Sequence, residues 1–162
     1  MKNKLLPLLL LAVSIISLGF AAIAQYGFGL KPCILCLYQR IPYAIVMVLS
    51  LVALSVTAYT RVRKILMLLC IVSFIAGAAI AFYHVGVEQH IFLGTSTCAN
   101  QSSMPVKTIE EMRRQILNAP VVRCDQPAFV WLGLSMAGWN GFWSLFLAGF
   151  SLYLYRSQFK RW

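Results

Sequence analysis

Four uncharged apolar runs restrict this chain to one kind of environment. Leu5–Ala24, Ile41–Thr60 and Ile65–Val87 carry no charged residue, and Ala128–Tyr155 is a longer fourth run. Twenty helical residues rise about 30 Å, the thickness of a bilayer's hydrocarbon layer. An apolar core helix of a soluble protein is shorter and keeps a polar face, which these runs lack. Only 11% of the 162 residues are charged, against about 25% in a soluble domain. The expected fold is an all-α membrane protein, a four-transmembrane-helix bundle forming a single domain over 1–162. Its spans fall at about 5–24, 41–60, 65–87 and 136–155, with Gly133, Gly138 and Gly141 placing the start of the last near Met136. Met1-Lys2-Asn3-Lys4 before an apolar run ending Ala22-Ile23-Ala24 has the layout of a cleavable leader. The run is longer than a leader needs, and an even number of spans keeps both basic ends on one side, so it is kept as the first span.

The basic residues orient the bundle. Lys2 and Lys4, then Arg61, Arg63 and Lys64, then Arg156, Lys160 and Arg161 lie outside the spans on one side, with no acidic residue among them. The other side holds Lys31, Arg40, Lys107, Arg113, Arg114 and Arg123 together with all four acidic residues, Glu88, Glu110, Glu111 and Asp125. The positive-inside rule then puts both termini in the cytoplasm and the loops at about 25–40 and 88–135 on the exported side. The net charge of +10 is topology. No basic stripe with interleaved aromatics occurs outside the span flanks, so nucleic-acid binding is not expected.

The first exported loop leads into Lys31-Pro32-Cys33-Ile34-Leu35-Cys36-Leu37-Tyr38-Gln39-Arg40. Pro32 suits the first turn of a helix, where its missing N–H is not needed. The spacing predicts a helix from Cys33 that contains Pro42 and is kinked there. The alternative is an extended Cys33–Arg40 segment, with Pro42 marking the helix start. Near a helix start the backbone N–H groups and the dipole favour a thiolate over a thiol. If Cys36 is helical, Arg40 stands one turn along the same face.

His84 closes the third span at a depth close to Cys36 and Arg40, shortly before Glu88. Cys70, deep in the same span, reads as a small hydrophobe. In the long loop, Thr108 followed by Glu111 is a capping-box pattern. Ile109, Met112 and Ile116 share one face behind it, which predicts a short amphipathic helix over 109–117 lying on the membrane or on protein. Cys98 and Cys124 flank that helix on the same side as Cys33 and Cys36. In a bacterium this compartment is the oxidising periplasm. The four read as two pairs, Cys33–Cys36 and Cys98–Cys124, although counting alone allows three connectivities. Trp131, Trp139 and Trp143 suggest a chain running along the interface before it descends.

Three chemistries compete for these cysteines. A Cys-x-x-C ring removes little chain entropy, so Cys33–Cys36 is a poor structural staple, whereas Cys98–Cys124 is a reasonable one. One close pair and one distant pair is a weak zinc signature, and no metal site is expected. Leu37 after Cys36 excludes covalent haem. The third option is redox exchange between the pairs. A dithiol at a membrane surface is within reach of a lipid-soluble quinone, and Arg40 could hold a Cys36 thiolate and polarise a quinone carbonyl. As the bland alternative, Arg40 is a snorkelling anchor.

Lys31-Pro32-Cys33-Ile34-Leu35-Cys36-Leu37-Tyr38-Gln39-Arg40 resembles the signature of the disulfide bond formation protein B (DsbB) family, quinone-reducing membrane oxidases of the bacterial inner membrane. The likeness extends to four spans, a cysteine pair in the long loop, and Leu132-Gly133-Leu134-Ser135-Met136 before the last helix. It implies that a periplasmic thioredoxin-fold oxidase of the DsbA type attacks the Cys98–Cys124 disulfide at Cys98. Cys124 would then attack Cys33 and leave Cys36 as a thiolate facing ubiquinone or menaquinone, beside Arg40 and with His84 at the quinone site. Such exchange runs in the direction set by relative potentials. Family members can carry an acidic residue before the arginine; here it is Gln39, which bears on the charge balance at Cys36. Two rivals stand beside this reading. One is a vitamin-K-epoxide-reductase-like quinone reductase, whose redox motif lies late in the chain. The other is a tetraspan scaffold with a structural Cys98–Cys124 bond, which has no use for Arg40 beside Cys36.

Overall fold

The apolar runs fold as helices in the computed structural model, which describes residues 4–56, 60–94, 108–110, 113 and 123–159. Helix α1 spans Leu5–Ala22, with Pro7 in its first turn, where the missing N–H costs no bond. It loosens into a π turn over Ile23–Gly27. A one-turn helix α2 (Ile34–Tyr38) follows, then α3 (Arg40–Ser55) and the long α4 (Thr60–Glu88). The chain returns through a two-stranded hairpin, β1 (Val130–Trp131) and β2 (Leu134–Ser135), and ends in α5 (Met136–Phe159).

Among the described residues, three helical stretches are long and apolar enough to cross a membrane: Leu5–Gly27, Ile34–Ser55 and Arg61–Glu88. The fourth long helix, α5, is less apolar, with Asn140, Ser144 and Ser151 along it. The helices pack in chain order, α1 against α3, α3 against α4 and α4 against α5. Leu6, Val46, Met67, Cys70, Phe74 and Leu147 meet in the centre. Large apolar side chains also face outward: Ile16 is 69% exposed and Phe142 65%. A soluble protein rarely leaves so much apolar surface bare, and lipid is the solvent that accounts for it.

The segment around Pro42 settles the choice between helix and extended chain. Ile34–Tyr38 is helical, with Cys33 as its extended N-cap and a turn at Gln39 separating α2 from α3. Pro42 lies in the first turn of α3, and its missing N–H leaves the Tyr38 carbonyl without the usual i+4 donor, which is where the helix breaks. Ile109, Glu110 and Arg113 are helical; the rest of the helix expected over 109–117, and Cys98 with it, lies outside the described residues.

At the far end of α4 the chain reverses, with Ile91 and Phe92 N–H donating to the Gly86 carbonyl at 2.8 and 3.1 Å. The Phe92 ring stacks on Tyr83 and occupies the space beside Gly86, where an added Cβ would run into the ring. The return hairpin turns at Leu132 and Gly133, both with positive φ (52° and 79°), as a two-residue hairpin turn of the primed type requires. Trp139 in the first turn of α5 packs on Trp131, ring centroids 5.5 Å apart, and its indole N–H donates to the Trp131 carbonyl at 3.0 Å.

Candidate functional site

The short helix α2 carries the two cysteines of the first loop. Cys33 is extended, with φ −74° and ψ 171°, and its sulfur caps the helix by accepting the Cys36 N–H at 3.3 Å. The two sulfurs lie 3.2 Å apart as a dithiol, with Cys33 donating to Cys36. That shared hydrogen bond, reinforced by burial, holds the Cys33 thiol well above the ordinary thiol range. Cys33 therefore keeps its proton and Cys36 is the acceptor. Cys36 is also the more exposed of the two.

His84 comes to this pair from α4. Its Nε2 lies 3.5 Å from Cys33 Sγ and 3.8 Å from Glu88 Oε1, one turn further along the same helix. Its Nδ1 receives the Gln39 amide N–H at 2.7 Å. Gln39 Oε1 in turn accepts from Asn140 Nδ2 at 2.7 Å, and Asn140 Oδ1 accepts from the Tyr43 hydroxyl at 2.8 Å. Ser144 Oγ lies 2.9 Å from the Tyr43 oxygen. Three helices thus contribute to one buried chain of polar side chains leading to the sulfur of Cys33. Buried amides and hydroxyls need such partners, because leaving one unpaired costs about 1–3 kcal/mol.

Cys124 reaches the same place from the end of the long loop. It is 2% exposed and shares an apolar cluster with Cys33, Leu35 and Val87, against which Cys36 and Tyr83 also pack. On either side of it, Arg123 and Asp125 form an exposed ion pair, with Arg123 Nε donating to Asp125 Oδ1 at 2.9 Å. Of the residues expected from sequence, Cys33, Cys36, Cys124 and His84 are brought together. Arg40 begins α3 and turns toward the end of α1, donating to Gln25 Oε1 at 2.7 Å and to the Ala21 carbonyl at 3.4 Å. These are neutral acceptors, and among the described residues no carboxylate pairs with it.

Gln39, Tyr43, Asn140 and Glu88 were not singled out as site residues by sequence reasoning. Gln39 and Asn140 had a signal available, since uncharged amides next to or within apolar runs need buried partners. Cys33 Sγ, Cys36 Sγ and His84 Nε2 lie within 4.8 Å of one another, a spacing that three zinc ligands could have. Binding through Nε2 would require the ring hydrogen on Nδ1, the atom that already accepts from Gln39. The arrangement suits thiol chemistry better than coordination.

The comparisons with known proteins agree with a thiol site. A disulfide bond formation protein B of Xylella fastidiosa (strain Temecula1) is 34% identical over 134 residues, 81% of this chain and 77% of that protein. One of Xanthomonas axonopodis pv. citri is 32% identical over 139 residues, 84% and 80% of the two chains. An uncharacterized protein of Rickettsia prowazekii is 34% identical over 140 residues, 86% and 80%. The family model described as "Disulfide bond formation protein DsbB" matches residues 3–154. With buried cysteines from two separate loops meeting at one end of a membrane-suited bundle, the match leaves one assignment: this chain belongs to the DsbB family of membrane disulfide oxidoreductases.

Proposed function

We propose that this protein oxidises a periplasmic thioredoxin-fold dithiol oxidase of the DsbA type and passes the electrons to membrane quinone, sustaining protein disulfide formation. It would span the bacterial inner membrane four times, α5 included, with both termini cytoplasmic and Cys33, Cys36, Cys98 and Cys124 periplasmic. The observation that carries this reading is the seat of Cys124 beside Cys33 in one buried cluster. A loop cysteine has little reason to pack against a Cys-x-x-C pair unless the two exchange.

A thiolate of the reduced partner attacks Cys98 Sγ, breaks the Cys98–Cys124 bond and frees Cys124. Cys124 attacks Cys33 Sγ, and Cys36 leaves as a thiolate. The partner's second thiol closes its own disulfide and releases Cys98, which re-forms its bond to Cys124 and frees Cys33. The Cys33–Cys36 bond then re-forms as its two electrons leave. Ubiquinone or menaquinone is the acceptor of that pair together with the two protons lost by the partner. Each exchange needs a good thiolate leaving group.

The residues present fit a quinone near Cys36. That sulfur is only partly buried, and it accepts the Cys33 S–H hydrogen bond. Arg40, with neutral partners among the described residues, places a positive charge near the motif for a developing anion. His84 offers a ring nitrogen to Cys33, the sulfur that must leave and return.

Anaerobic quinol formation on adding a reduced thioredoxin-fold dithiol tests the function. Wild-type protein forms quinol, and Cys36→Ser forms none; normal turnover in that variant refutes the reading and favours a scaffold. Cys124→Ala is expected to hold the partner as a mixed disulfide on Cys98. Failure to capture it removes the partner assignment.

A further inference from the structure

The polar chain behind His84 has a direction. The Tyr43 hydroxyl has a single hydrogen, and it goes to Asn140 Oδ1 at 2.8 Å. Ser144 must therefore supply the hydrogen between its Oγ and the Tyr43 oxygen. With Oδ1 occupied in this way, the Asn140 amide N–H faces Gln39 Oε1. The Gln39 amide N–H then faces His84 Nδ1 and leaves that nitrogen only the role of acceptor. The ring hydrogen is consequently on Nε2, the atom 3.5 Å from Cys33 Sγ. Beyond it, Cys33 donates to Cys36. Every link from Tyr43 to Cys36 points the same way.

We propose that Tyr43 and Asn140 are positioning residues, and that through Gln39 they hold His84 in the tautomer that presents an N–H to the Cys33 sulfur. Neither residue touches sulfur. Their effect rests on an asymmetry of the amide: reversing one amide reverses its neighbour, and the ring would then turn a lone pair toward Cys33 in place of a donor. A donor at that position stabilises the Cys33 thiolate each time it leaves Cys124, whereas a lone pair repels it. This rests on the redox reading above for its consequence, but not for its structural content.

The experiment reads the tautomer directly. The chain has two histidines, His84 and His90, so ring-15N-histidine labelling of the full protein in nanodiscs gives two sets of signals. His90→Asn assigns them. In the wild-type protein with its cysteines reduced, His84 should show a pyrrole-like Nε2 and a pyridine-like Nδ1. Asn140→Asp keeps the shape but offers only acceptors, so Gln39 must turn its N–H to Asp and its oxygen to the ring. The His84 signals should then exchange identities, and quinol formation should slow about tenfold, the size expected for one hydrogen bond to a charged group. A wild-type ring protonated at Nδ1, or an aspartate variant with unchanged tautomer, overturns the proposal. Should Asn140→Asp not fold, Tyr43→Phe removes the first donor, and a mixture of tautomers is expected; a single Nε2–H form there is equally fatal. If the wild-type protein makes no quinol while the tautomer responds as described, the redox reading fails and the positioning chain stands.

Discussion

Cys70 and Cys33 are both buried cysteines in the same bundle, 0% and 4% exposed, but their surroundings differ. Cys70 sits midway along α4 among Met67, Phe74 and Val46, with Ser50 Oγ 3.9 Å away as its polar neighbour. Cys33 has a second thiol, a backbone N–H, a histidine and a loop cysteine around it. Burial alone makes a thiol inert. Polar neighbours placed around it, and a second sulfur able to approach, give the same group a partner to exchange with.

This contrast can be broken by exchanging consequences between the two sites. The largest effect is expected for Cys33→Ser, which should reduce quinol formation to the uncatalysed background. Cys70→Ser should leave the rate within about twofold, since among the described residues no second thiol packs against Cys70. A loss of turnover in the Cys70 variant would mean that the central sulfur is not just packing.

Next in size is Gly86→Ala. The added methyl meets the Phe92 ring, so the Tyr83–Phe92 stack and the reversal after α4 must shift. A stability loss of about 1–3 kcal/mol is expected, measured as a lower thermal midpoint in detergent. The same change should expose the end of the His84 helix to protease, and an unchanged digestion pattern would separate the reversal from the site. Cys70→Ala comes third, at about 1 kcal/mol for a small buried group removed, with activity unchanged.

The smallest effect is assigned to Asp125→Asn. Arg123 holds the Asp125 carboxyl below the usual carboxylate range, chiefly through their hydrogen bond. A depressed carboxylate adds stability above its ordinary pKa and loses it as pH falls through the lowered value. Both groups are exposed, so solvent screens the pair. The variant should match the wild type in thermal midpoint from neutral to mildly acidic pH; a deficit in the variant at neutral pH that closes on acidification would show that the pair helps to seat Cys124.

The helices were legible because a run without charge has few other places to go. The break in the second apolar helix was half legible: Pro42 announced a fault, but its position within the first turn of α3, and the turn at Gln39, depended on packing. The π turn over Ile23–Gly27 left no trace in composition, and it is what sets Gln25 against Arg40. In the site, the cysteines and His84 could be named from type and depth. Their connections could not, because Gln39, His84 and Asn140 are 45 and 101 residues apart in the links that join them. Local patterns report a residue's neighbours along the helix; they are silent on which distant amide faces it.

The clasp between Trp131 and Trp139 joins matters that look separate. Trp139 fastens the strand that brings the chain back from Cys124, and the next residue, Asn140, is the link to Gln39. One end of one helix therefore carries both the mooring of the loop sulfur and the setting of the imidazole. A piston movement of α5 by a fraction of a turn would slacken the first and part the second in a single stroke. Arrival of a partner at the loop and readiness of the thiol pair would then be two readings of one mechanical coordinate.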